Sequence, residues 1–272
     1  MSSEFLATGT VGLTEAIEIL ARGALEPEGR ILGASNATLR CRITLEGVSA
    51  RCVYKPVAGE RPLWDFPDGT LAGREVAAWL VSEATGWGLV PPTVLRDGPL
   101  GPGACQLWLE ATDEEELVGF VPAGAVPPGW HRIADAEDTD GRPYVLAHAD
   151  DARLGRMAIL DAIINNADRK GGHILLAGAG EVFGVDHGVC FHTEPKLRTV
   201  LWGWVGGRLP DDAEPVLARL DERLRGDLGA ALAEHLTRAE IAATAARLRR
   251  LRSTRRFAAP SPDWPAVPWP PI

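Results

Sequence analysis

The chain has 272 residues, 46% of them hydrophobic and 24% charged, with a net charge of −9. This length allows one large domain or two lobes that share a cleft, and the acidic balance argues against a general nucleic-acid binder. The four cysteines lack CxxC spacing and no leader or membrane-spanning apolar run is present, so we predict a cytoplasmic protein with buried thiols and no integral membrane association.

The first 112 residues predict a small α+β lobe. Apolar residues at helical spacing followed by a glycine predict a short helix at 14–22. A longer amphipathic helix is expected at 72–86. Strands are expected at 30–33, 38–45, 49–54, 94–95 and 104–109. Strands, one helix and further strands are the order typical of such a lobe.

The second lobe is expected to span 113–257. Its first part, 113–144, is acidic, proline-rich and weakly patterned, which predicts a hinge and an irregular entry. Helices are expected at 152–165, 211–224 and 227–251, with a β-hairpin between 174 and 185.

Two segments near the C-terminus have unusual compositions. The arginine run at 247–256 is interpreted as a solvated helix face that complements the helix dipole, and contact with an anionic membrane or a phosphorylated partner is the alternative. The tail at 258–272 is too rich in proline to form a helix or a central strand.

Two aspartates, Asp168 and Asp186, flank the predicted hairpin and lie beside glycine, histidine or asparagine. In kinase-like phosphoryl transfer, one aspartate accepts the hydroxyl proton, a ligand five residues later holds metal, and a second aspartate next to glycine bridges metal and phosphates. Asp168, His173 and Asp186 have that spacing. Turn aspartates that cap backbone amides are the simpler alternative, and the two carboxylates alone would also fit a metal hydrolase.

Lys55 ends a predicted strand in the sequence VYKP, and Glu75 lies on the helix that follows. Protein kinases orient a phosphate-binding strand lysine with such a helix glutamate, although a solvated strand-end lysine is the simpler alternative. The loop at 33–38 contains Ser35 and Asn36, and its backbone N–H groups could cap phosphates. It is not a Walker A loop, and an ordinary hairpin turn would look the same.

Five segments in this order resemble the successive motifs of the phosphatidylinositol 3- and 4-kinase-like family: VYKP, REVAAWLVSEATGWGLVPPTVL, ACQLWLE, DAIINNADR and GVDHGVCF. The nearest match is to type II phosphatidylinositol 4-kinases, with HipA-type protein kinases more distant, and the whole chain is similar to an actinobacterial branch of this group. The resemblance implies a two-lobed, protein-kinase-like α+β fold with a small antiparallel-sheet N-lobe and a mainly helical C-lobe.

The resemblance also implies roles for single residues. Lys55 would contact phosphates and pair with Glu75, Asp168 would be catalytic, and Asp186 would bind metal. Asp161 and Asn166 would support the loop, and the cofactors would be ATP with Mg²⁺ or Mn²⁺. The nucleotide-binding residues would be Ser35, Asn36, Lys55, Gln106, Leu107, Trp108 and Leu109, the last three forming the adenine hinge.

His173 departs from the family pattern, which has asparagine at this position. Imidazole suits Mn²⁺ or Zn²⁺ better than Mg²⁺, so either the metal preference has shifted or a metal contact is lost. A zinc site that joins His173 to His187, Cys190 and His192 fits no standard ligand spacing.

We predict a kinase that transfers the γ-phosphoryl group of ATP to a hydroxyl of a protein serine or threonine or of an inositol-type small molecule. The alternative is a nucleotide-binding pseudokinase that acts as a regulatory or partner-binding module. A lipid acceptor is disfavoured because the cysteine-rich insert of eukaryotic lipid kinases has no counterpart between Lys55 and Glu75.

Overall fold

A computed structural model describes residues 12–31, 36–112, 115–178 and 180–272. The helices are α1 Leu13–Arg22, α2 Leu71–Thr85, α3 Ala152–Ile164, α4 Ala213–Leu224, α5 Asp227–Leu232 and α6 Arg238–Thr254. The strands are β1 Ala24–Arg30, β2 Leu39–Leu45, β3 Val48–Pro56, β4 Thr93–Gly98, β5 Gly101–Leu107, β6 Val118–Pro122, β7 Trp130–Glu137, β8 Pro143–Ala149, β9 Ile174–Ala177 and β10 Glu181–Gly184.

The first lobe is built on an antiparallel five-stranded sheet in the order β1-β2-β3-β5-β4. Buried and half-buried residues alternate along much of β2 and β3, as expected for a sheet with one face in the core. The buried face packs against α1 and includes three of the four cysteines, all of which are free thiols. Of the strand predicted at 30–33, residues 32 and 33 lie outside the described residues, and Arg30 is the last residue of β1. The earlier start of β1 was not predicted, because Ala24–Arg30 is almost wholly exposed and lacks an apolar pattern.

Helix α2 connects this sheet to the second lobe. Its N-cap Thr70 accepts a hydrogen bond from the N–H of Gly73 at 2.9 Å, and it ends at Gly86, whose φ of 74° is the left-handed value that favours glycine. Its apolar residues pack in the large core of the second lobe. A buried ion pair between Arg74 and Glu240 of α6, 2.5 Å long, fixes α2 to that lobe.

The prediction of an irregular segment at 113–144 is wrong. Strands β6, β7 and β8 form an antiparallel sheet with β8 in the centre. Only β8 buries a continuous apolar run, whereas the edge strands β6 and β7 are mostly half-buried. Edge strands can carry prolines and charges. Because of this composition, the sequence pattern does not predict the sheet.

The predicted helix at 227–251 is divided into α5 and α6. Thr237 starts α6 in a capping box with Glu240, in which the N–H of Thr237 donates to the Glu240 carboxylate at 2.8 Å. The arginine run is also not a wholly solvated face. Arg247 donates to the carbonyl oxygen of Ile163 at 2.9 Å, and Arg252 pairs with Asp221 of α4 at 2.9 Å.

None of the helices in the described ranges combines the length and the apolar character that crossing a membrane needs. The proline-rich tail forms neither helix nor strand, as predicted, and runs back over the second lobe. Its penultimate residue, Pro271, accepts a backbone hydrogen bond from Gly171 at 2.8 Å.

Candidate active site

Lys55, Glu75 and Asp186 come from three separate elements and meet between the sheet and the second lobe. Lys55 is in β3, Glu75 is in α2, and Asp186 follows β10. The Lys55 ammonium donates a short hydrogen bond to Glu75 Oε1 and a second one to Asp186 Oδ1 at 2.9 Å. The other oxygen of Glu75 accepts the backbone N–H of His187 at 3.0 Å. Glu75 therefore fixes both the lysine and the chain next to Asp186.

Lys55 and Asp186 stabilise each other's charge. Burial would lower the pKa of Lys55, but the carboxylates of Asp186 and Glu75 outweigh it and raise that pKa, so the lysine stays protonated. Lys55 in turn lowers the pKa of Asp186. The Asp186 side chain is 56% exposed, so solvent screens the pair. Its φ of 62° is a strained value for aspartate, of the kind that concentrates at functional sites.

The loop that follows α3, residues 165–173, is here named the Asp168 loop and is built on a buried ion pair. Arg169 donates to both oxygens of Asp161, at 2.8 and 2.9 Å, and both side chains are fully buried. The same guanidinium donates to the carbonyl oxygens of His173 and Val185. One arginine thus ties the end of α3 to the loop and to the chain before Asp186.

Asp168 is partly exposed, and its carboxylate lies between two cations. Lys170 Nζ is 3.2 Å from Oδ2, and Arg198 Nη2 is 3.6 Å from Oδ1. The backbone N–H of Asp168 donates to the side chain of Asn166 at 3.0 Å. Neither cation is predicted from the sequence. Lys170 could have been found from its position two residues after Asp168, but Arg198 is brought there only by the fold.

His173 lies between the two aspartates. Its Nδ1 is 2.9 Å from the carbonyl oxygen of Asp168, and since a carbonyl only accepts, Nδ1 carries a proton. Burial lowers the pKa of His173, which leaves Nε2 unprotonated. Nε2 is 3.5 Å from Asp186 Oδ2. Two lone-pair donors that face each other in this way fit a shared divalent cation whose other ligands are phosphates and water.

A closed metal site is not formed by protein side chains alone. Within the parts of the chain that the structure describes, no group of three or more His, Cys, Asp or Glu side chains is placed to hold a metal ion. The zinc cluster of His173, His187, Cys190 and His192 is therefore not assembled. His187 is instead buried against Arg169, with Nε2 2.7 Å from the guanidinium.

The predicted hinge residues are engaged inside the sheet lobe. The amides of Leu107 and Trp108 donate to carbonyl oxygens of that lobe at 2.9 and 3.0 Å. The buried side chain of Gln106 donates to Thr93 at 2.8 Å, and Leu109 is buried just beyond β5. A nucleotide at this strand would therefore not find the N–H groups of Leu107 and Trp108 available as donors.

The predicted phosphate-capping loop is only partly described. Ser35 lies outside the described residues. Asn36 is described, and its Oδ1 accepts the backbone N–H of Arg61 at 2.9 Å, which ties this loop to the segment that leads into α2.

A cavity of about 420 Å³ lies between the chain that follows the hinge and strand β9. It reaches the Asp168 loop at Gly171 and Gly172, whereas Lys55 and Asp186 are not in its wall. The hydroxyl of Thr112, which lines the cavity, is buried and has no hydrogen-bond partner among the described residues. The cavity thus adjoins the Asp168 loop and does not include the Lys55 group.

Comparison with solved structures identifies the fold. The Golgi casein kinase with Mn and ADP bound has a TM-score of 0.55 and 14% identity, over 89% of this chain and 75% of that one. A hydra Fam20 structure with sugar has a TM-score of 0.55 and 15% identity, over 93% and 91%. The chain therefore has a two-lobed, protein-kinase-like α+β fold, as predicted.

The nearer relationship comes from sequence. The chain is 51% identical over 261 residues to the protein Rv2133c of Mycobacterium tuberculosis. The match covers 93% of this chain and 94% of that protein, so the chain belongs to the same family. No model of a known protein family matches it. The narrower assignment to the phosphatidylinositol 3- and 4-kinase-like family stays a prediction.

Proposed function

We propose that this protein is a kinase that transfers the γ-phosphoryl group of ATP to a hydroxyl acceptor. The main support for the proposal is that the Lys55 ammonium donates hydrogen bonds both to Glu75 of α2 and to Asp186 of the second lobe. In protein kinases both the lysine–glutamate pair and the metal-binding aspartate must be in place for activity. The kinase-like fold supports the same conclusion.

Each residue has a distinct task in this proposal. Lys55 neutralises phosphate charge, Glu75 holds its ammonium in position, and Asp168 orients the acceptor hydroxyl and accepts its proton. Asp186 and His173 would hold Mg²⁺ or Mn²⁺, which when bound neutralises charge on the phosphate oxygens. The N-lobe is placed at 1–112, the C-lobe at 113–257 and the tail at 258–272.

The nucleotide is placed in the cleft between Lys55 and the cavity beside the Asp168 loop. Asn36 would lie near the phosphates, and the base would meet the chain after Leu109, since the amides of Leu107 and Trp108 are already bonded. The unpartnered hydroxyl of Thr112 supports a polar ligand in the cavity. The acceptor is a protein serine or threonine or a small-molecule alcohol, in a cytoplasmic setting.

A nucleotide-binding pseudokinase is the second candidate. It is favoured by one observation, the imidazole of His173 at the position where the resembling families have asparagine. With two side chains as the metal set, metal affinity depends strongly on the nucleotide phosphates. The turnover of wild type and Asp168→Asn separates the two candidates, since a pseudokinase binds nucleotide with no turnover above that variant.

Nucleotide binding tests the site itself. Calorimetric titration with ADP, with and without Mg²⁺ or Mn²⁺, should show metal-dependent binding by the wild-type chain. In Asp186→Asn the metal should no longer improve ADP affinity, because the carboxylate that shares the cation is gone. Arg223→Gln, in an exposed ion pair with Asp227, is the matched control and should bind like wild type. Absence of ADP binding by the wild-type chain would overturn the proposal.

A further inference from the structure

Arg198 is held rigidly beside Asp168. Its backbone N–H donates to the carbonyl oxygen of Asn166 at 2.9 Å, and its Nε donates to the carbonyl oxygen of Ala167 at 2.7 Å. The guanidinium carbon lies 5.8 Å from the ring centre of Trp264 in the tail. This anchoring places Nη2 3.6 Å from Asp168 Oδ1, and 27% of the side chain stays exposed. The guanidinium is therefore preorganised at the mouth of the site.

Asp168 has more positive charge beside it than its own carboxylate balances. Lys170 contacts the other carboxylate oxygen at 3.2 Å and is also partly exposed. Two cations and one carboxylate leave a local surplus of one positive charge, in a protein whose net charge is −9. Because Asp168 faces the acceptor hydroxyl in the proposed function, this surplus lies where the acceptor binds.

The guanidinium of Arg198 indicates which ligand groups this site can bind. A guanidinium presents a planar fork of donors that matches a carboxylate or a phosphate group with two parallel hydrogen bonds. The contact of Arg198 with Asp168, at 3.6 Å, is longer than a hydrogen bond, so an incoming anion can replace it. The ring of Trp264 restricts the orientation of the fork.

We propose that Arg198, with Lys170, forms an anion-binding subsite, and that the acceptor is an alcohol with a phosphate or carboxylate group a few atoms from its hydroxyl. This inference rests on the proposed function. The acceptor oxygen bonds to the γ-phosphorus while the bond to the β–γ bridging oxygen breaks. ADP leaves with that electron pair, and the hydroxyl proton passes to Asp168. Arg198 touches the anionic group and not the reacting atoms, so it determines specificity.

The subsite is tested first without turnover. Inorganic phosphate is titrated into the full chain by calorimetry, with no nucleotide present. Arg198→Gln should weaken phosphate binding by roughly tenfold to a hundredfold, the range expected for charged hydrogen bonds. Arg198→Lys should give an intermediate affinity, and the exposed control Arg223→Gln should match wild type. Phosphate binding that is absent in wild type, or equal in wild type and Arg198→Gln, would overturn the subsite.

A second measurement needs no variant and so does not depend on folding of the substituted chains. ATP-dependent transfer is compared for glycerol 3-phosphate against glycerol and for glycolate against ethylene glycol. We expect kcat/KM to be higher by roughly tenfold or more for the anionic member of each pair, and the two pairs distinguish phosphate from carboxylate. Equal use of anionic and neutral alcohols would contradict the inference.

The two proposals fail in different ways. A chain that binds phosphate through Arg198 but neither binds nor consumes ATP would refute the kinase proposal and leave the anion subsite. If the chain consumes ATP but its phosphate affinity is the same in wild type and Arg198→Gln, the subsite alone would be refuted. In Arg198→Gln the KM for the anionic alcohol should rise by a larger factor than kcat falls, which a merely structural role would not produce.

Discussion

Replacing Arg169 with methionine should destabilise the whole protein strongly, because this guanidinium joins α3, the Asp168 loop and the chain before Asp186. The change leaves the Asp161 carboxylate fully buried without its counter-ion. It also removes the donors to the carbonyl oxygens of His173 and Val185. Methionine fills much of the volume, so the effect reports lost charge and hydrogen bonds rather than a cavity.

The magnitude follows from the burial of the pair. Breaking a buried ion pair by removing one partner costs about 3–5 kcal/mol, since an uncompensated charge remains. In a chain of this size each kcal/mol lowers the melting temperature by roughly 2–4 °C. Arg169→Met should therefore melt about 6–20 °C below wild type.

Thermal unfolding followed by circular dichroism measures this shift. The matched control is Arg223→Met, which breaks an exposed ion pair with Asp227 and should cost less than about 1 kcal/mol. The double variant Asp161→Leu/Arg169→Met should recover part of the loss, because no buried charge is left unpaired. A melting temperature of Arg169→Met equal to that of the control would refute this account of the Asp168 loop.

Three further predictions concern other buried groups. Burial lowers the pKa of His148 from 6.5 to about 4, so on acidification the unfolded chain takes up a proton before the folded chain does. The free energy of unfolding should therefore fall by about 3 kcal/mol as the pH drops from 6.5 to 4. Urea unfolding of His148→Gln at several pH values should lack this contribution to the pH dependence. Glu240→Gln leaves Arg74 buried without its counter-ion and should lose about 3 kcal/mol or more in urea unfolding, and an unchanged midpoint would count against the α2–α6 tie. Glu75→Gln should weaken Mg²⁺–ADP binding by calorimetry roughly tenfold, because Lys55 loses its orienting carboxylate; wild-type affinity would contradict that role.

The sequence predicted the elements whose local signals are strong. Helix α2 has a threonine N-cap and a terminal Gly86, and α3 has a continuous apolar pattern, so both lie within one residue of their expected bounds. The β9–β10 hairpin was likewise visible between Asp168 and Asp186. The sheet of β6, β7 and β8 was missed, because its edge strands bury little and carry polar residues.

The residues of the candidate site also fall into those that the sequence predicts and those that it does not. Lys55, Glu75 and Asp186 lie in short ordered motifs, and the fold brings them into contact. Arg198 is thirty residues after Asp168 in sequence, and no local pattern links the two. The hydrogen bonds that occupy the hinge amides depend on strand pairing and on the turn before β4, which residue types alone do not determine.

In the proposed kinase, Asp168 serves phosphoryl transfer on a nucleotide held by Lys55 and Asp186. The most direct measurement follows release or transfer of the γ-phosphoryl group of labelled ATP, with Mg²⁺ or Mn²⁺, by wild type and Asp168→Asn at equal nucleotide occupancy. We predict turnover by wild type that falls roughly a hundredfold or more in Asp168→Asn, with ADP affinity retained, as expected for loss of a general base. Equal turnover in the two proteins would contradict this role of Asp168. So would a wild-type chain that binds ADP but shows no turnover.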